Sequence, residues 1–475
     1  MMNEIIKQPA NKLVQLIQEK QLSSEEVTYA FLRRIQEVNP SLNAVIQIDE
    51  VSTLQQAKKA DRALARGELL GPLHGLPITI KDTIDIFGYR NTYGSHLYDD
   101  YQPKEEGTCV KRLRSAGAVV LGLTNAPELL TAYESDNLIY GATNNPYALD
   151  RTAGGSSGGE AAIIAAHGSP LGLGTDGGGS IRLPAHYCGI AGIKPTQGLI
   201  PLTGIALPGA GAGCLQPFGT CGPMARFVDD LILGLSVLSG PDQCDPSAPP
   251  VMMNNPTHID ISKLKIAYFT DNGIVTPTQD IIDVTLSAVK TLADLGASVE
   301  EARPQDIEKT FELHWQPFFT LCDGGETVSH FLDKLSTDQI SPLRKQYNKD
   351  AKKYNLTTAE LNQRFAEIAQ FKRQTYQFLN RYDIIICPPC ATTAKRHGQC
   401  LNEIKDFTYT MSFNNSGSPA VVIPFGVSKE GLPIGVQVVA NLWKDYVALA
   451  VANVLEKHYC EKSKNNDTHR LVSAL

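Results

Sequence analysis

The sequence lacks the features that identify several classes of protein. None of its 475 residues lies in an apolar run of 18 or more, which excludes a helix long enough to cross a membrane. Its first residues, MMNEIIKQPANK, lack the apolar core of a secretory signal. No basic block offsets the net charge of −7, so we expect no binding to nucleic acid through its phosphates. Ten cysteines in this length are not a secreted disulfide scaffold, and we expect a cytoplasmic protein with buried, reduced thiols.

The remaining composition is that of an ordinary globular protein. Hydrophobic residues make up 42% and charged residues 20% of the chain, which is enough apolar material for a large core. Residues 10–38 predict two amphipathic helices, because apolar residues such as Leu13 and Ile17 recur with the helical period. Ser23 and Glu26 have the spacing of a capping box at the start of the second helix.

The first half of the chain has the pattern of an α/β protein. Short apolar segments such as LPITI, AVVLGL and GIAGI alternate with helical or glycine-rich segments. This alternation predicts a central, mostly buried sheet with helices packed against it.

The second half contains a helical region between strand-like segments. KIAYFT predicts a strand, and residues 277–295 predict a helix with Ile281, Ala288, Leu292 and Leu295 on one side. A more charged, largely helical region follows, and then the strand-like segments YDIIICPP, PAVVIPFG and PIGVQVVA. Strands on both sides of a helical insertion fit one sheet more easily than two, so we predict a single domain.

The glycine-rich segment DRTAGGSSGGEAA at residues 150–162 admits three interpretations. A phosphate-binding loop would need a lysine directly after it, whereas Glu160 would repel phosphate. A nucleophile elbow is matched by the G-x-S-x-G pattern around Ser156, but an elbow follows a buried strand and here a polar turn precedes it. A flexible linker is flanked by polar sequence, whereas an apolar helix follows this segment. The glycines therefore serve geometry within a packed region.

A second glycine-rich turn and a lysine add to this picture. In LGLGTDGGGSIRLPA, at residues 171–185, the glycines 177–179 precede Ser180. Successive N–H groups of such a turn can converge on one point, as an oxyanion hole requires. Upstream, GLPITIKD predicts a buried strand that ends at Lys81, and a lysine held in the interior favours its neutral form and can act as a base. Taken singly, the glycines also fit a plain tight turn, and the lysine fits one that extends to solvent.

In combination and in this order, the three segments closely resemble the amidase signature family, whose catalytic group is Ser-cisSer-Lys. The resemblance is strong over about residues 60–240 and weaker over about 405–458, through NNSGSPAVVIPFGVSKEGLPIGVQVV. Residues of about 245–400 match only in general character, as a helical and more variable insertion. The resemblance implies one large α/β/α domain over residues 1–475, with a central twisted mixed β-sheet covered by helices.

The resemblance also implies a role for each motif. Lys81 is the terminal base, Ser156 is the proton-relaying serine after a cis peptide bond, and Ser180 is the nucleophile that forms an acyl-enzyme. The oxyanion hole consists of the backbone N–H groups of Gly177, Gly178, Gly179 and Ser180. The residues that support the catalytic group are Ser157, Thr175, Asp176 and Arg182, with Asp176 expected to pair with Arg182. The family usually carries isoleucine or threonine at the position of Gly177, so this glycine predicts a looser oxyanion turn.

The motif wording favours one branch of the family. GSPLGLGTD is closest to the fatty acid amide hydrolase-like branch, which implies hydrolysis of a small-molecule amide without cofactor or metal. The alternative is the A component of a glutamine-dependent aminoacyl-tRNA amidotransferase, although the Tyr-Asp-Gly-Val-Arg-Tyr-Gly-like stretch of those proteins is missing. A homodimer is left open. Candidates for an acyl pocket, or for plain aromatic core, are Trp315, Phe318 and Phe319.

Two further alternatives belong to other classes. A Ser-His-acid esterase built on the Ser156 elbow would draw on one of the histidines His397, His458 and His469. A structural zinc or redox module in CPPCATTAKRHGQC would use Cys387, Cys390, His397 and Cys400. Against such a module, two prolines separate the first two cysteines at a predicted strand end.

Overall fold

The strands of the protein are described by a computed structural model that covers residues 2–205, 217–251, 253–256, 259–321, 332–354 and 356–464. Within these ranges the strands are β1 Val45–Gln47, β2 Pro77–Lys81, β3 Val119–Thr124, β4 Asn144–Asn145, β5 Ala148–Thr152, β6 Leu171–Asp176, β7 Ala191–Lys194, β8 Thr220–Ala225, β9 Lys265–Tyr268, β10 Ser298–Glu301, β11 Ile384–Cys387, β12 Ala420–Val427 and β13 Pro433–Ala440.

The α-helices surround these strands. In the same ranges they are α1 Met2–Lys7, α2 Ala10–Gln18, α3 Ser24–Leu42, α4 Glu50–Ala65, α5 Thr108–Ser115, α6 Gly158–Ala165, α7 Arg182–Cys188, α8 Val228–Leu238, α9 Gln279–Asp294, α10 Thr310–Phe319, α11 Pro342–Ala351, α12 Thr358–Arg381, α13 Thr408–Ser416 and α14 Asp445–Lys464. None of the described helices is long and apolar enough to cross a membrane.

Eleven strands form one mixed sheet in the order β1-β3-β2-β6-β8-β7-β12-β13-β11-β9-β10, and β4 and β5 form a separate hairpin. The neighbours β3, β2 and β6 are parallel, as are β11, β9 and β10, whereas β8, β7, β12 and β13 pair in antiparallel fashion. The predicted α/β fold with a central mixed sheet is confirmed. Strands from both halves of the chain lie in this one sheet.

Most of the predicted elements are present. The helices expected over 10–38 are α2 and α3, and the capping box of Ser23 and Glu26 is formed. The helix expected over 277–295 is α9, which buries Ile281, Ala288 and Leu292. Leu295 was wrongly placed on that buried side, because it caps the end of the helix and 42% of its surface is exposed.

The sheet brings the two glycine-rich segments to one edge. Strands β2 and β6 are parallel neighbours, and they end at Lys81 and Asp176. The carboxyl ends of parallel strands meet at the same edge, where loops are free to form a site. The turn before α6 and the turn after β6 therefore lie beside Lys81.

Candidate active site

Lys81 ends a strand that is buried along its whole length. Its Nζ lies 2.6 Å from Ser156 Oγ and 2.8 Å from Thr175 Oγ1, and its side chain has no exposed surface. Burial lowers the pKa of Lys81 to about 7, although Asp176 acts in the opposite direction. A substantial fraction of this amine is therefore neutral near pH 7, and its lone pair can accept a proton.

Ser156 lies in a tight turn that leads into α6. The peptide bond between Gly155 and Ser156 is cis. A Cβ at Gly155 would lie 2.7 Å from the carbonyl oxygen of Ala132, so only glycine fits there. Ser157 ties the turn to β6, since its Oγ donates to the Thr175 carbonyl over 3.2 Å.

The backbone of Ser157 extends this connection to the second turn. Its N–H donates to the Ser180 carbonyl over 3.2 Å. The two predicted catalytic serines are thus held on adjoining segments of backbone. No hydrogen bond between the hydroxyls of Ser156 and Ser180 is present in the described structure, and such contacts often tighten only when substrate binds.

The second turn is organised by the carboxylate of Asp176. It pairs with Arg182 at 3.0 Å, as predicted, and it accepts the N–H of Gly179 over 2.8 Å and that of Ile181 over 3.1 Å. Burial acts to raise the pKa of Asp176, but Arg182 and Asn414 outweigh it and hold this pKa well below its usual range. Asp176 is therefore a fixed negative charge that shapes the turn.

This arrangement leaves fewer free donors than predicted. The N–H of Gly179 is taken by Asp176, whereas no acceptor among the described residues takes the N–H of Gly177, Gly178 or Ser180. Gly179 has a φ of +128°, and a Cβ there would overlap the side chain of Thr410. The turn thus requires glycine at position 179 for its shape, while the open donors come from its neighbours.

The carbonyl group of Gly178 is held from two sides. It accepts the hydroxyl of Tyr133 over 3.0 Å and that of Thr410 over 2.9 Å. These bonds fix the orientation of the peptide that follows Gly178. The predicted looseness from Gly177 is therefore opposed by a clamp on the adjoining residue.

Ser156 and Ser180 both face a cavity of about 650 Å³, a volume typical of small-molecule sites. Its lining is mostly apolar and contains Tyr133, His314, Trp315 and Phe318. Two of the three aromatic residues proposed for an acyl pocket therefore line it. The third does not, because Phe319 lies on the next turn of α10 and lines a second cavity.

Several of these residues were missed by sequence reasoning. Tyr133, His314 and Thr410 reach the Ser180 turn from distant parts of the chain, and Asn414 donates to Asp176 Oδ1 over 2.9 Å. The segment NNSGSP that begins with Asn414 was noted for its resemblance to the family, and it is the one local signal that pointed to any of them.

The alternatives from other classes find little support. The histidine in the described cavity lining is His314, and neither His397 nor His458 lies there. Burial lowers the pKa of His314 to about 4, and its Nδ1 contacts the amide of Asn415 rather than a carboxylate. His469 lies outside the described residues.

The predicted zinc or redox module is also unsupported. Cys387, Cys390 and Cys400 are free and buried. Burial raises the pKa of Cys387 to about 12 and that of Cys390 to about 11, which disfavours the thiolates that bind metal or attack disulfides. Across the described ranges, no group of three or more His, Cys, Asp or Glu side chains is arranged to hold a metal ion.

Comparison with known proteins gives a consistent result along the whole chain. The family profile described as Amidase matches residues 26–449. An acylamidase of Rhodococcus erythropolis is 31% identical over 469 residues, which cover 93% of this chain and 94% of the relative. A glutamyl-tRNA(Gln) amidotransferase component, the A chain of the enzyme from Caldanaerobacter subterraneus subsp. tengcongensis, is also 31% identical, over 96% of this chain and 97% of its own.

The fold matches solved structures as well. A fatty acid amide hydrolase superimposes with a TM-score of 0.87 and 25% identity, over 96% of this chain and 86% of the other. Both the sheet and the helices around it are therefore shared with that enzyme.

Proposed function

The chain belongs to the amidase signature family, and from that premise we propose that Ser180 cleaves uncharged, apolar carboxamides through an acyl-enzyme. The observation that carries this proposal is the contact of a buried lysine with a serine hydroxyl at the wall of the cavity. Lys81 Nζ lies 2.6 Å from Ser156 Oγ, and Ser180 lines the same cavity. A base, a relay and a nucleophile are the parts that acyl transfer needs.

In the first step, neutral Lys81 accepts the proton of Ser156 Oγ while Ser156 accepts the proton of Ser180 Oγ. The Ser180 oxygen then forms a bond to the carbonyl carbon of the substrate, and the carbonyl π electrons move to its oxygen. Thr175 Oγ1, 2.8 Å from Nζ, holds the amine in line with Ser156. This arrangement supports attack near neutral pH because the base does not first have to lose a proton to water.

The negative oxygen that forms is stabilised by backbone N–H groups. Gly177, Gly178 and Ser180 supply donors that no described acceptor takes, whereas that of Gly179 stays with Asp176. Donors fixed in place before the reaction stabilise developing charge without reorganisation. Asp176 acts indirectly, because it holds the turn in the required shape.

In the second step the C–N bond breaks and the relay returns one proton to the departing amine. Water then attacks the ester of Ser180, loses its proton to the same relay, and releases the carboxylic acid. The sum is one amide and one water converted to one acid and one amine. Microscopic reversibility lets the same residues serve both halves of the reaction.

The lining of the cavity favours an uncharged substrate. Its described residues include no lysine or arginine, and the carboxylate of Asp176 is already bound by Arg182. A zwitterion such as glutamine would leave its own buried charges unpaired there, which is costly. This argues against the amidotransferase alternative, even though a relative of that name matches the chain.

We also propose that the protein acts on a small molecule, without a partner protein, in the cytoplasm. The eight cysteines of the described chain are all free, which is typical of a reducing compartment. The apolar lining supports a small apolar acyl or aryl group as the part of the substrate that binds beside Ser180.

The test is an amide panel with short, aryl and long-chain acyl groups, assayed on the purified chain alone and on Ser180→Ala. We expect the substitution to lower kcat by about 10⁴-fold or more, since it removes the nucleophile, and to abolish labelling by serine-reactive phosphonates. Ser236→Ala, which alters an exposed serine on α8, is the control and should retain both.

Other outcomes would change the assignment. Labelling that persists on Ser156 in Ser180→Ala would restore the elbow interpretation. Activity that needs glutamine and a second protein would favour the amidotransferase.

A further inference from the structure

Glu160 is a fully buried carboxylic acid that the proposed mechanism leaves without a role. It lies on α6, one turn after Ser156, and has no exposed surface. One oxygen is in close contact with the hydroxyl of Thr79, and the other accepts the hydroxyl of Thr124 over 2.7 Å. No arginine or lysine pairs with it among the described ion pairs.

Three adjacent strands are shaped around this carboxyl group. Thr79 on β2 lies in register with Gly172 on β6, and Thr124 on β3 lies in register with Lys81. A Cβ at Gly172 would overlap the carboxyl group of Glu160. The sheet therefore supplies a hydroxyl from each of two strands and an empty position on the third, which is a specific cradle for this side chain.

Hydrogen counting along this cradle indicates that the acid is protonated. Ser169 Oγ donates to the Leu171 carbonyl over 2.9 Å, and Thr79 Oγ1 donates to Ser169 Oγ over 3.0 Å. Each hydroxyl has one hydrogen, so Thr79 has none left for Glu160. The contact between Thr79 and Glu160 is then completed by a proton on the carboxyl group.

The cradle lies next to the proposed base. Thr79 and Lys81 are two residues apart on β2, so their side chains point to the same face of the strand. The groups whose charge acts on Lys81 are Asp176 from β6, Cys221 from β8 and Glu160 from α6. Arg182 neutralises Asp176, and burial raises the pKa of Cys221 well above its usual value.

Glu160 is thus the neighbour of Lys81 whose charge is free to change. Burial raises the pKa of Glu160 to about 7, while Lys81 acts to lower it. Two interacting groups with similar affinities for protons titrate as a pair. Ionised Glu160 stabilises the ammonium form of Lys81, and protonated Glu160 removes that stabilisation.

We propose that Glu160 is a positioning residue whose own proton keeps Lys81 in the neutral, reactive form. This inference rests on the proposed function, in which Lys81 is the base. It assigns the α6 acid to control of the catalytic proton, although its carboxyl group touches neither Ser156 nor the cavity lining.

The test is the pH dependence of kcat/KM in Glu160→Gln. The amide has the shape of the acid, donates a hydrogen to Thr79 in the same way, and cannot ionise. We expect activity to be retained at neutral pH and the acid limb of the profile to move to lower pH by about half a unit or more, because a negative charge near Lys81 is no longer available. Glu160→Ala, which is uncharged and smaller, should move the limb in the same direction.

Glu456→Gln is the matched control. Glu456 is a buried acid on α14 that accepts the N–H of Val228, and burial raises its pKa to about 8. Its replacement should leave the limb in place, because Lys81 is not among the groups that act on it. Limbs of Glu160→Gln and Glu160→Ala that coincide with wild type would overturn the inference. Loss of the proposed function itself would appear differently, as full activity in Lys81→Met.

Discussion

Two lysines end strands of the same sheet, and both are buried. Lys81 ends β2 and Lys194 ends β7, and at most 1% of either side chain is exposed. Burial lowers the pKa of each to about 7. By burial and by pKa the two groups are therefore equivalent candidates for a neutral base.

Their contacts differ. Lys81 Nζ touches the hydroxyls of Ser156 and Thr175, and Ser156 lies in the cavity wall. Lys194 Nζ donates to the carbonyl of Pro195 over 2.9 Å, beside the carboxyl group of Asp445. A carbonyl oxygen cannot pass on a proton, whereas a hydroxyl can both donate and accept one. The comparison teaches that a lowered pKa identifies a base only where the amine contacts a hydroxyl that reaches substrate.

The sharpest way to break this comparison is to replace each lysine by methionine. Lys81→Met should lower kcat by about 10³-fold or more, because it removes the general base. Lys194→Met should keep kcat within about threefold but lose about 1–3 kcal/mol of stability, since the Pro195 carbonyl loses its donor. Steady-state kinetics and thermal unfolding of both variants make the measurement. Equal losses of kcat would show that the contacts do not distinguish the two lysines.

The pH profile separates the two sites further. The reactive form of Lys81 is the neutral amine, which becomes protonated as the pH falls below a pKa of about 7. We therefore expect kcat/KM to fall by about tenfold per pH unit on the acid side of that value. The same limb should persist in Lys194→Met, because that lysine gives no proton to the relay. A limb that disappears with Lys194 would assign the titration to the wrong strand.

The contrast also indicates how far the sequence predicts this site. Both LPITIK and GIAGIK have the pattern of buried strands that end in lysine, so local pattern alone does not choose between them. The choice of Lys81 came from the order of three motifs and their resemblance to a family. The glycine-rich turns and the pairing of Asp176 with Arg182 were likewise predicted from nearby residues.

The missing parts are those that the fold brings from far along the chain. Thr410 and Asn414 lie more than 200 residues from the turn that they hold, and no local periodicity encodes such contacts. The engagement of Gly179 by Asp176 depends on the detailed path of the turn. Phe319 was assigned to the wrong cavity because residues of one short helix face different directions.

The smallest expected effect concerns the hydroxyl next to each lysine. Thr175→Val removes the second partner of Lys81, at 2.8 Å, while Ser156 remains. We expect kcat to fall by about tenfold, the equivalent of one hydrogen bond of about 1.4 kcal/mol. Thr196→Val is the counterpart near Lys194, where Thr196 Oγ1 donates to Asp445 over 2.6 Å.

Thr196→Val should leave kcat unchanged and lower the unfolding free energy by about 1–3 kcal/mol, because a buried carboxyl group loses a donor. The pair is measured by kcat at pH 8 and by denaturant unfolding. A larger loss of kcat in Thr196→Val than in Thr175→Val would mean that the β7 end, and not the β2 end, controls the reaction. Thr175→Ser restores the hydroxyl and should restore most of the rate, because the hydroxyl, and not the methyl group, orients the lysine.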